Sequence, residues 1–114
     1  MIPHWERCAG WLQAALDHAG EHTLEHVHDE CLNGRAILWP GERCAIVTHV
    51  IDRELHCWLG GGDLRELLTL RPGIEAWGRA AGCTHATLKG RTGWARLFAS
   101  FGYAPSDGEM RKPL

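Results

Sequence analysis

The sequence lacks the features that mark membrane proteins and disulfide-rich secreted proteins. It contains no apolar run near the roughly 20 residues that a membrane-spanning helix needs. Residues 1–6 have neither the basic start nor the apolar stretch of a signal peptide. No CxxC pair occurs, and five cysteines is an odd number, which argues against a disulfide framework. We therefore expect a protein of a reducing compartment, the cytoplasm, with no membrane association.

Repeats, linkers and low-complexity tracts are also absent from the 114 residues. Hydrophobic residues make up 45% of the chain and charged residues 23%, which is the balance of an ordinary globular protein rather than a disordered one. Six tryptophans add a large buried area per residue, which stabilises a small core. The sequence therefore predicts one domain spanning residues 1–114, which is a common domain size.

The charge is unevenly distributed along the chain. Residues 1–62 hold four Arg against nine Asp and Glu, whereas residues 63–114 hold eight Lys and Arg against five Asp and Glu. This asymmetry predicts an anionic ligand on the C-terminal half, with chance as the alternative explanation. Nucleic acid is not expected as a partner, because the chain is acidic overall and its few basic residues near Trp94 make no extended basic surface.

Apolar periodicity predicts an α+β fold. Thr23 and Asp63 are candidate N-caps, and Pro72 is expected to kink or split the long helix that contains it. The order α-α-β-β-β-α-β-α-β predicts a mixed, mostly antiparallel sheet with helices on both faces. The predicted elements span residues 4–18, 24–33, 35–39, 44–51, 54–59, 64–81, 83–88, 94–101 and 109–114.

From about Glu54 to Leu114, this order resembles the C-terminal half of the GNAT N-acetyltransferase superfamily. The chain looks like a short, divergent member of the kind found in bacterial and phage genomes. The preceding helices and hairpin fit the family order, but its usual first strand is missing. The segments that carry the resemblance are Leu59-Gly60-Gly61-Gly62, Ala80-Ala81-Gly82-Cys83, Leu97-Phe98-Ala99-Ser100-Phe101-Gly102-Tyr103 and Glu109-Met110-Arg111-Lys112.

The resemblance implies a seat for the pyrophosphate of acetyl-CoA or another acyl-CoA at the glycine run. A helix N-terminus offers unpaired N–H groups and partial positive charge, and glycines let the backbone wrap a phosphate. The alternative is that the glycines only turn the chain and that the Asp63 carboxylate takes the anion's place as a cap. The expected binding residues are Gly60, Gly61, Gly62, Asp63, Leu64 and Arg65, with Lys89 and Arg91 on a neighbouring loop.

The chain departs from the family pattern at several positions. Trp58-Leu59 precedes the glycines where the family usually carries Arg or Gln. Phe98 stands where many relatives carry a tyrosine general acid, and Arg91 where many carry an asparagine. Because phenylalanine cannot donate a proton, either another residue supplies the acid or none does.

An acyl transfer to an amine needs a base for the amine proton. Glu54, His56 and Trp58 are expected on one face of a strand because side chains alternate between faces. His56 is the first candidate base, since its intrinsic pKa lies near neutrality, and Glu54 is the second. The alternative role for His56 is that of a hydrogen-bonded structural residue.

A second cluster is rich in histidine. His18, His22 and His26 recur every four residues, and His22–His26 matches the H-x-x-E-H pattern of zinc hydrolases. The predicted cap at Thr23 interrupts a continuous helix, and no third ligand is evident. We expect a solvated surface without a metal, and keep a His-rich metal-binding protein as a minor alternative.

Two functional classes therefore remain open. The first is an acyl-CoA-binding N-acyltransferase that moves an acetyl group to an amine. The second is a catalytically inactive scaffold, which acts as a homo-oligomer or in a larger assembly such as a phage virion. The resemblance implies that an acyltransferase inserts the pantetheine arm where residues 54–59 and 83–88 part. A closed pair of strands there, or exposed tryptophans on one patch, would favour the scaffold.

Overall fold

The computed structural model describes residues 2–19, 21–89 and 92–114. Two helices come first, followed by three strands, and helices and strands then alternate up to a C-terminal hairpin. No helix among the described residues combines the length and the apolar character needed to cross a membrane. The elements are α1 (Trp5–Ala19), α2 (Leu24–Leu32), β1 (Ile37–Pro40), β2 (Cys44–Ile51), β3 (Glu54–Gly62), α3 (Leu64–Ala80), β4 (His85–Leu88), α4 (Thr92–Ala99), β5 (Ala104–Ser106) and β6 (Glu109–Pro113).

The strands form one mixed sheet in the order β1-β2-β3-β4-β6-β5. The pair β3–β4 is parallel, and the helix α3 connects its two strands, whereas the other pairs are antiparallel. This architecture confirms the predicted α+β class with a mostly antiparallel sheet.

Each face of the sheet carries its own hydrophobic core because successive strand side chains alternate between the faces. Ala45 and Val47 of β2 pack with α1 and α2, in a cluster that includes Leu12 and Val27. Residues of α3 and α4 pack on the opposite face, over Ile46 and the other inward side chains of β2, β3 and β4. Helices therefore cover both faces, as predicted.

Local chemistry sets the ends of two helices. The Thr23 side chain accepts a hydrogen bond from the His26 N–H at 3.1 Å and begins α2, as predicted. The Asp63 carboxylate begins α3 in the same way. The long helix α3 runs unbroken from Leu64 to Ala80, so the predicted split at Pro72 does not occur. Pro72 lies on the exposed side of the helix, and Leu67 and Ile74 hold the turns on either side of it to one core.

The strand β5 is absent from the predicted order, which therefore ends in one strand too few. Strands β5 and β6 form a hairpin around Asp107 and Gly108, whose φ angles are 50° and 80°. An Asp-Gly pair with positive φ at both positions is the favoured two-residue turn of a hairpin. The Asp-Gly pair is therefore a sequence signal for this hairpin, whereas β5 itself is only three residues long and contains Pro105.

The glycine run forms the end of β3 and pairs with β2 rather than forming a loop. A Cβ atom on Gly61 would lie 2.4 Å from the Trp11 carbonyl oxygen, and one on Gly62 would lie 2.4 Å from the Arg43 carbonyl oxygen. Gly62 also has a φ of +100°, which side chains rarely adopt. Two of the three glycines thus have a packing role, since they let α1 and the preceding hairpin approach β3.

Candidate functional site

The parallel strands β3 and β4 pair over only part of their length. Glu54–Cys57 of β3 match His85–Leu88 of β4, and the pairing ends at Cys57 and Leu88. Strand β3 continues to Gly62 with β2 as its partner, whereas β4 stops at Leu88. The sheet is therefore closed below this point and open above it. Every residue of β4 is paired with β3, and the opening arises because β4 ends while β3 continues.

A small cleft of about 60 Å³ lies where the pairing of β3 with β4 ends. It lies on the α3 and α4 side of the sheet, and its wall is mostly apolar. Trp94 of α4 lies over Gly60, where an added Cβ atom would be 3.3 Å from the indole ring. The principal apolar residues of the wall are Ile46, Leu55, Leu67, Ile74, Ala86, Leu88 and Phe98.

The Cys57 thiol at this cleft is not a candidate nucleophile. Burial raises its pKa to about 12. The reactive form of cysteine is the thiolate, and this side chain therefore stays protonated at neutral pH. All five cysteines of the chain are free.

His56 lies beside the cleft, with its side chain on the opposite face of the sheet from Leu55 and Cys57. Its Nδ1 atom is 2.7 Å from the Thr87 Oγ1 atom, across the parallel pair β3–β4. Burial lowers the pKa of His56; Lys89 acts in the same direction, and Glu109 and Glu54 oppose the shift. The imidazole is therefore neutral at pH 7, and when Nδ1–H donates to Thr87, Nε2 is left as a proton acceptor.

Glu54, the second candidate base, shares this face but is engaged by another side chain. Its carboxylate forms an ion pair and a hydrogen bond with the Arg111 guanidinium of β6. A paired carboxylate is a weaker proton acceptor than a free one, because the cation stabilises its charged form. Of the two predicted candidates, Glu54 is paired with Arg111, whereas His56 is hydrogen-bonded to Thr87, a contact that fits a structural role as well as that of a base.

Trp58 lies on the His56 side as expected and belongs to a column of rings. The Trp58 ring stacks on His49 with 5.2 Å between centroids, and His49 lies 5.2 Å from His56. His22 and His26 are stacked on each other at 5.2 Å, and both contact Trp58 edge-on. The histidine-rich segment thus packs its rings against the sheet, next to the candidate base.

The structure gives this segment no metal-binding geometry. Within residues 2–19, 21–89 and 92–114, no group of three or more His, Cys, Asp and Glu side chains is placed to hold a metal ion. His18 belongs to α1, whereas His26 belongs to α2 and His22 precedes it. The four-residue spacing of these histidines therefore does not run along one helix.

The N-terminus of α3, the predicted pyrophosphate seat, is capped by its own side chain. The Asp63 Oδ1 atom accepts hydrogen bonds from the backbone N–H groups of Arg65 at 2.9 Å and Glu66 at 3.3 Å. The Arg65 and Lys89 side chains are exposed, and Leu64 packs against the core. Arg91, the remaining predicted residue, lies outside the described residues. Positive charge is therefore present at Lys89, which lines the cleft, and at Arg65 on the first turn of α3, but two of the helix amides already have a partner.

Sequence reasoning missed a buried ionic network under the cleft. Glu75 is only 2% exposed, and its carboxylate accepts hydrogen bonds from Arg71 at 2.8 Å, Tyr103 at 2.9 Å and Lys112 at 2.7 Å. Burial opposes the ionisation of Glu75, but these bonds outweigh it and lower the pKa of the carboxyl group. The nearest partner in sequence, Arg71, is four residues away and gave a weak signal; Tyr103 and Lys112 are brought in only by the fold.

Comparisons with known proteins give a fold but no sequence family. No protein-family model matches the chain, and no curated protein sequence matches it. A Thermoplasma acidophilum PaiA N-acetyltransferase, solved in complex with coenzyme A, matches in structure with a TM-score of 0.67 and 11% identity. That match covers 97% of this chain and 93% of the other.

A second solved structure matches over a shorter range. It is a Lactobacillus plantarum protein provisionally assigned as an N-acetyltransferase, with a TM-score of 0.53 and 18% identity. This match covers 63% of the present chain and spans only 60% of the Lactobacillus chain. At these identities the likeness concerns the fold alone, and it confirms that the chain resembles GNAT N-acetyltransferases in structure.

Proposed function

We propose that this protein binds an acyl-CoA in the cleft between β3 and β4 and transfers the acyl group to an amine. The observation that carries the proposal is the end of the β3–β4 pairing at Cys57 and Leu88. An apolar cleft opens there on one side of the sheet, and His56 lies next to it on the other. A thioester held at the opening is thus accessible to an amine that approaches from the His56 side.

The transfer needs one base and no cofactor beyond the acyl donor. The amine nitrogen forms a bond to the thioester carbonyl carbon, and its proton passes to His56 Nε2. The carbon–sulfur bond then breaks, and CoA leaves as a thiolate that takes up a proton. Because an ordinary thiol has a pKa of about 8.5, its thiolate is a good leaving group. The tyrosine acid that Phe98 replaces is therefore not indispensable.

Charge at the cleft mouth supports donor binding. Arg65 and Lys89 carry exposed positive charges, and the sequence adds Arg91 nearby. A diphosphate is recognised well by several charge-assisted contacts of this kind. A phosphate that also used the α3 amides would have to displace the Asp63 carboxylate. We therefore assign recognition of the donor mainly to the basic side chains and to the apolar cleft.

The Asp63 cap also favours a second candidate function, a scaffold that keeps the fold without binding acyl-CoA. In that case the protein acts through contacts with other chains, as a homo-oligomer or in an assembly. All six tryptophans are half-buried, so they form no exposed patch for a partner. Neither matched structure is a phage or structural protein, and the virion hypothesis gains no support from them.

Isothermal titration with CoA separates the two functions. We expect micromolar binding by the wild-type protein and at least about tenfold weaker binding by Arg65→Glu and Lys89→Glu. Arg53→Glu is the matched control, since it makes the same charge change on the exposed turn at the other end of β3 and leaves binding unchanged. No binding at millimolar CoA would contradict the proposal and leave the scaffold.

Turnover is tested separately, with acetyl-CoA and a panel of primary amines. Release of CoA is followed by chromatography, so that the free cysteines of the protein do not contribute to the signal. We expect His56→Gln to lower turnover by about 100-fold or more without changing CoA affinity. A variant as fast as the wild type would remove His56 from the mechanism.

A further inference from the structure

We propose that the Glu109 carboxylate holds the amino group of the acceptor beside His56, and that the acceptor is a primary amine without a carboxylate next to its amino group. This proposal rests on the proposed function, because it concerns the acceptor of the same reaction. It names the residue that recognises the acceptor and the class of acceptor that this residue favours.

On the His56 face, α1 and α2 leave part of the sheet uncovered. Their hydrophobic cluster takes its strand residues from β1, β2 and β3, and none of its described members belongs to β4, β5 or β6. The side chains that β4 and β6 place on this face are mostly polar. Thr87 is paired with Arg111, and Glu54 of β3 contacts the same arginine. An acceptor that approaches His56 therefore meets a polar sheet surface rather than a helix.

Glu109 lies on this surface, level with the point where β3 and β4 part. It shares a face of β6 with Arg111, because strand side chains two residues apart point the same way. The pairing of β4 with β6 ends at Leu88 and Met110, and Glu109 is the next residue of β6 beyond that end. The Glu109 carboxylate is thus on the His56 side of the opening at which the proposed thioester is held.

Glu109 differs from the other carboxylates near the site in having no partner. Glu54 is paired with Arg111, and Glu75 accepts three hydrogen bonds. Glu109 is half-buried, yet its side chain has no hydrogen bond or ion pair within residues 2–19, 21–89 and 92–114. A partly desolvated carboxylate gains from a charge-assisted hydrogen bond. An amino group donates N–H bonds both as an ammonium and as a neutral amine, so the contact persists when the acceptor loses a proton to solvent before it attacks.

The electrostatics of His56 support the same placement. Burial lowers the pKa of His56, and Glu109 is the charge that opposes this shift most strongly, ahead of Glu54. An amino group bound to Glu109 is therefore close to the candidate base. A carboxylate on the acceptor would be repelled by Glu109. Lys89 would attract such a carboxylate, but the proposed function assigns this side chain to the donor phosphates.

Acceptor kinetics with acetyl-CoA as the donor test this proposal. The probes are alaninamide and phenylalaninamide, each compared with the free amino acid, which has a carboxylate in place of the amide. We expect kcat/KM for each amide to exceed that of its amino acid by about tenfold or more in the wild-type protein. Glu109→Gln should raise KM for the amides about tenfold and change kcat by less than about twofold, because a contact to the bound acceptor is weakened. The affinity for CoA should stay unchanged.

Asp107→Asn is the matched control. It removes the same charge two residues earlier, on the exposed β5–β6 turn, where asparagine tolerates the φ angle of 50°. This variant should leave KM for the amides unchanged. NMR titration of the His56 imidazole adds a readout that needs no turnover. The pKa of His56 should fall in Glu109→Gln, which loses the opposing charge, and should stay at the wild-type value in Asp107→Asn.

The outcomes distinguish this proposal from the function on which it rests. If no amine is acetylated, the proposed function is wrong and the proposal fails with it. If amines are acetylated but Glu109→Gln leaves their KM unchanged, or amino acids are used as well as their amides, the proposal is wrong and the proposed function stands. An equal rise of KM in Asp107→Asn would overturn the proposal too, because overall charge rather than Glu109 would then attract the acceptor.

Discussion

His56 and Thr87 face each other across the parallel pair β3–β4, with 2.7 Å between Nδ1 and Oγ1. This contact joins the last paired segment of β3 to β4, just below the point where the two strands part. It orients the imidazole and engages Nδ1, so Nε2 is the ring nitrogen that this contact does not use. The proposed chemistry therefore depends on Thr87, although its hydroxyl need not touch a substrate.

Replacing Thr87 by valine should misorient His56 without changing the volume of the side chain that packs against it. The two side chains have similar volume, and Thr87 is 5% exposed. We expect Thr87→Val to lower kcat by about tenfold while KM for the acyl donor stays unchanged, since one orienting hydrogen bond is lost. Steady-state kinetics measure both constants. Thr87→Ser restores the hydroxyl and should recover most of the rate, and a Ser variant as slow as the Val variant would argue against this role.

Acidification should destabilise the protein before its carboxylates titrate. Burial lowers the pKa values of His49 and His56 below 6.5, and the His56 ring lowers the pKa of His49 further. His49 also faces Glu30 and His22, whereas His56 faces Glu54, Lys89 and Glu109.

The sign of the effect follows from proton linkage. Between pH 6.5 and the lowered values, the unfolded chain binds more protons than the native one, and stability falls as the pH falls. Urea denaturation at pH 7 and pH 5.5 measures this loss. His49→Phe should reduce it, because stacking on Trp58 is kept and the titrating group is gone. His18→Gln, on exposed α1 surface, is the control, and an unchanged loss in His49→Phe would contradict this assignment.

Glu75 should be the most sensitive charged residue for stability. Replacing it by glutamine removes the buried charge that pairs with the partly buried Arg71 and Lys112, and breaking such a pair costs about 3–5 kcal/mol. The free energy of unfolding from urea denaturation measures the loss. Arg79→Gln is the matched control, because Arg79 is half exposed and 3.8 Å from Glu75, and it should cost less than about 1 kcal/mol. Equal losses in the two variants would show that the buried pairs are not what stabilises this region.

Asp63 should oppose binding of the donor. Serine is also a good N-cap, so Asp63→Ser keeps α3 capped while removing a negative charge from the cleft mouth. We expect CoA affinity to rise about fivefold and the melting temperature to change little. Titration with CoA and thermal unfolding measure the two effects. A loss of affinity in Asp63→Ser would mean that the carboxylate takes part in binding instead.

The elements that could be predicted from the sequence are those that local chemistry sets. Thr23 and Asp63 begin helices because their side chains satisfy free amides one turn ahead, and this pattern is visible in the sequence. The order of strands and helices through α4 followed from periodicity in the same way. The glycine run did not reveal its packing role, because the Trp11 carbonyl that requires Gly61 lies 50 positions earlier in the chain.

The site was only partly predictable, because several of its contacts join residues that are far apart in the chain. The two-residue period of β3 placed His56 and Trp58 on one face, and the two side chains do lie on that face, joined through His49. The partner of His56 is Thr87, and that of Glu54 is Arg111, 57 residues away. Nothing in the local sequence indicates these pairings, because each joins residues that are far apart in the chain.

A crystal structure with bound CoA tests the central claim most directly. We expect the pantetheine arm to lie in the opening between β3 and β4, beside Cys57 and Leu88, with the phosphates near Arg65 and Lys89. CoA bound elsewhere on the protein, with β3 and β4 unaltered and the cleft empty, would contradict the account.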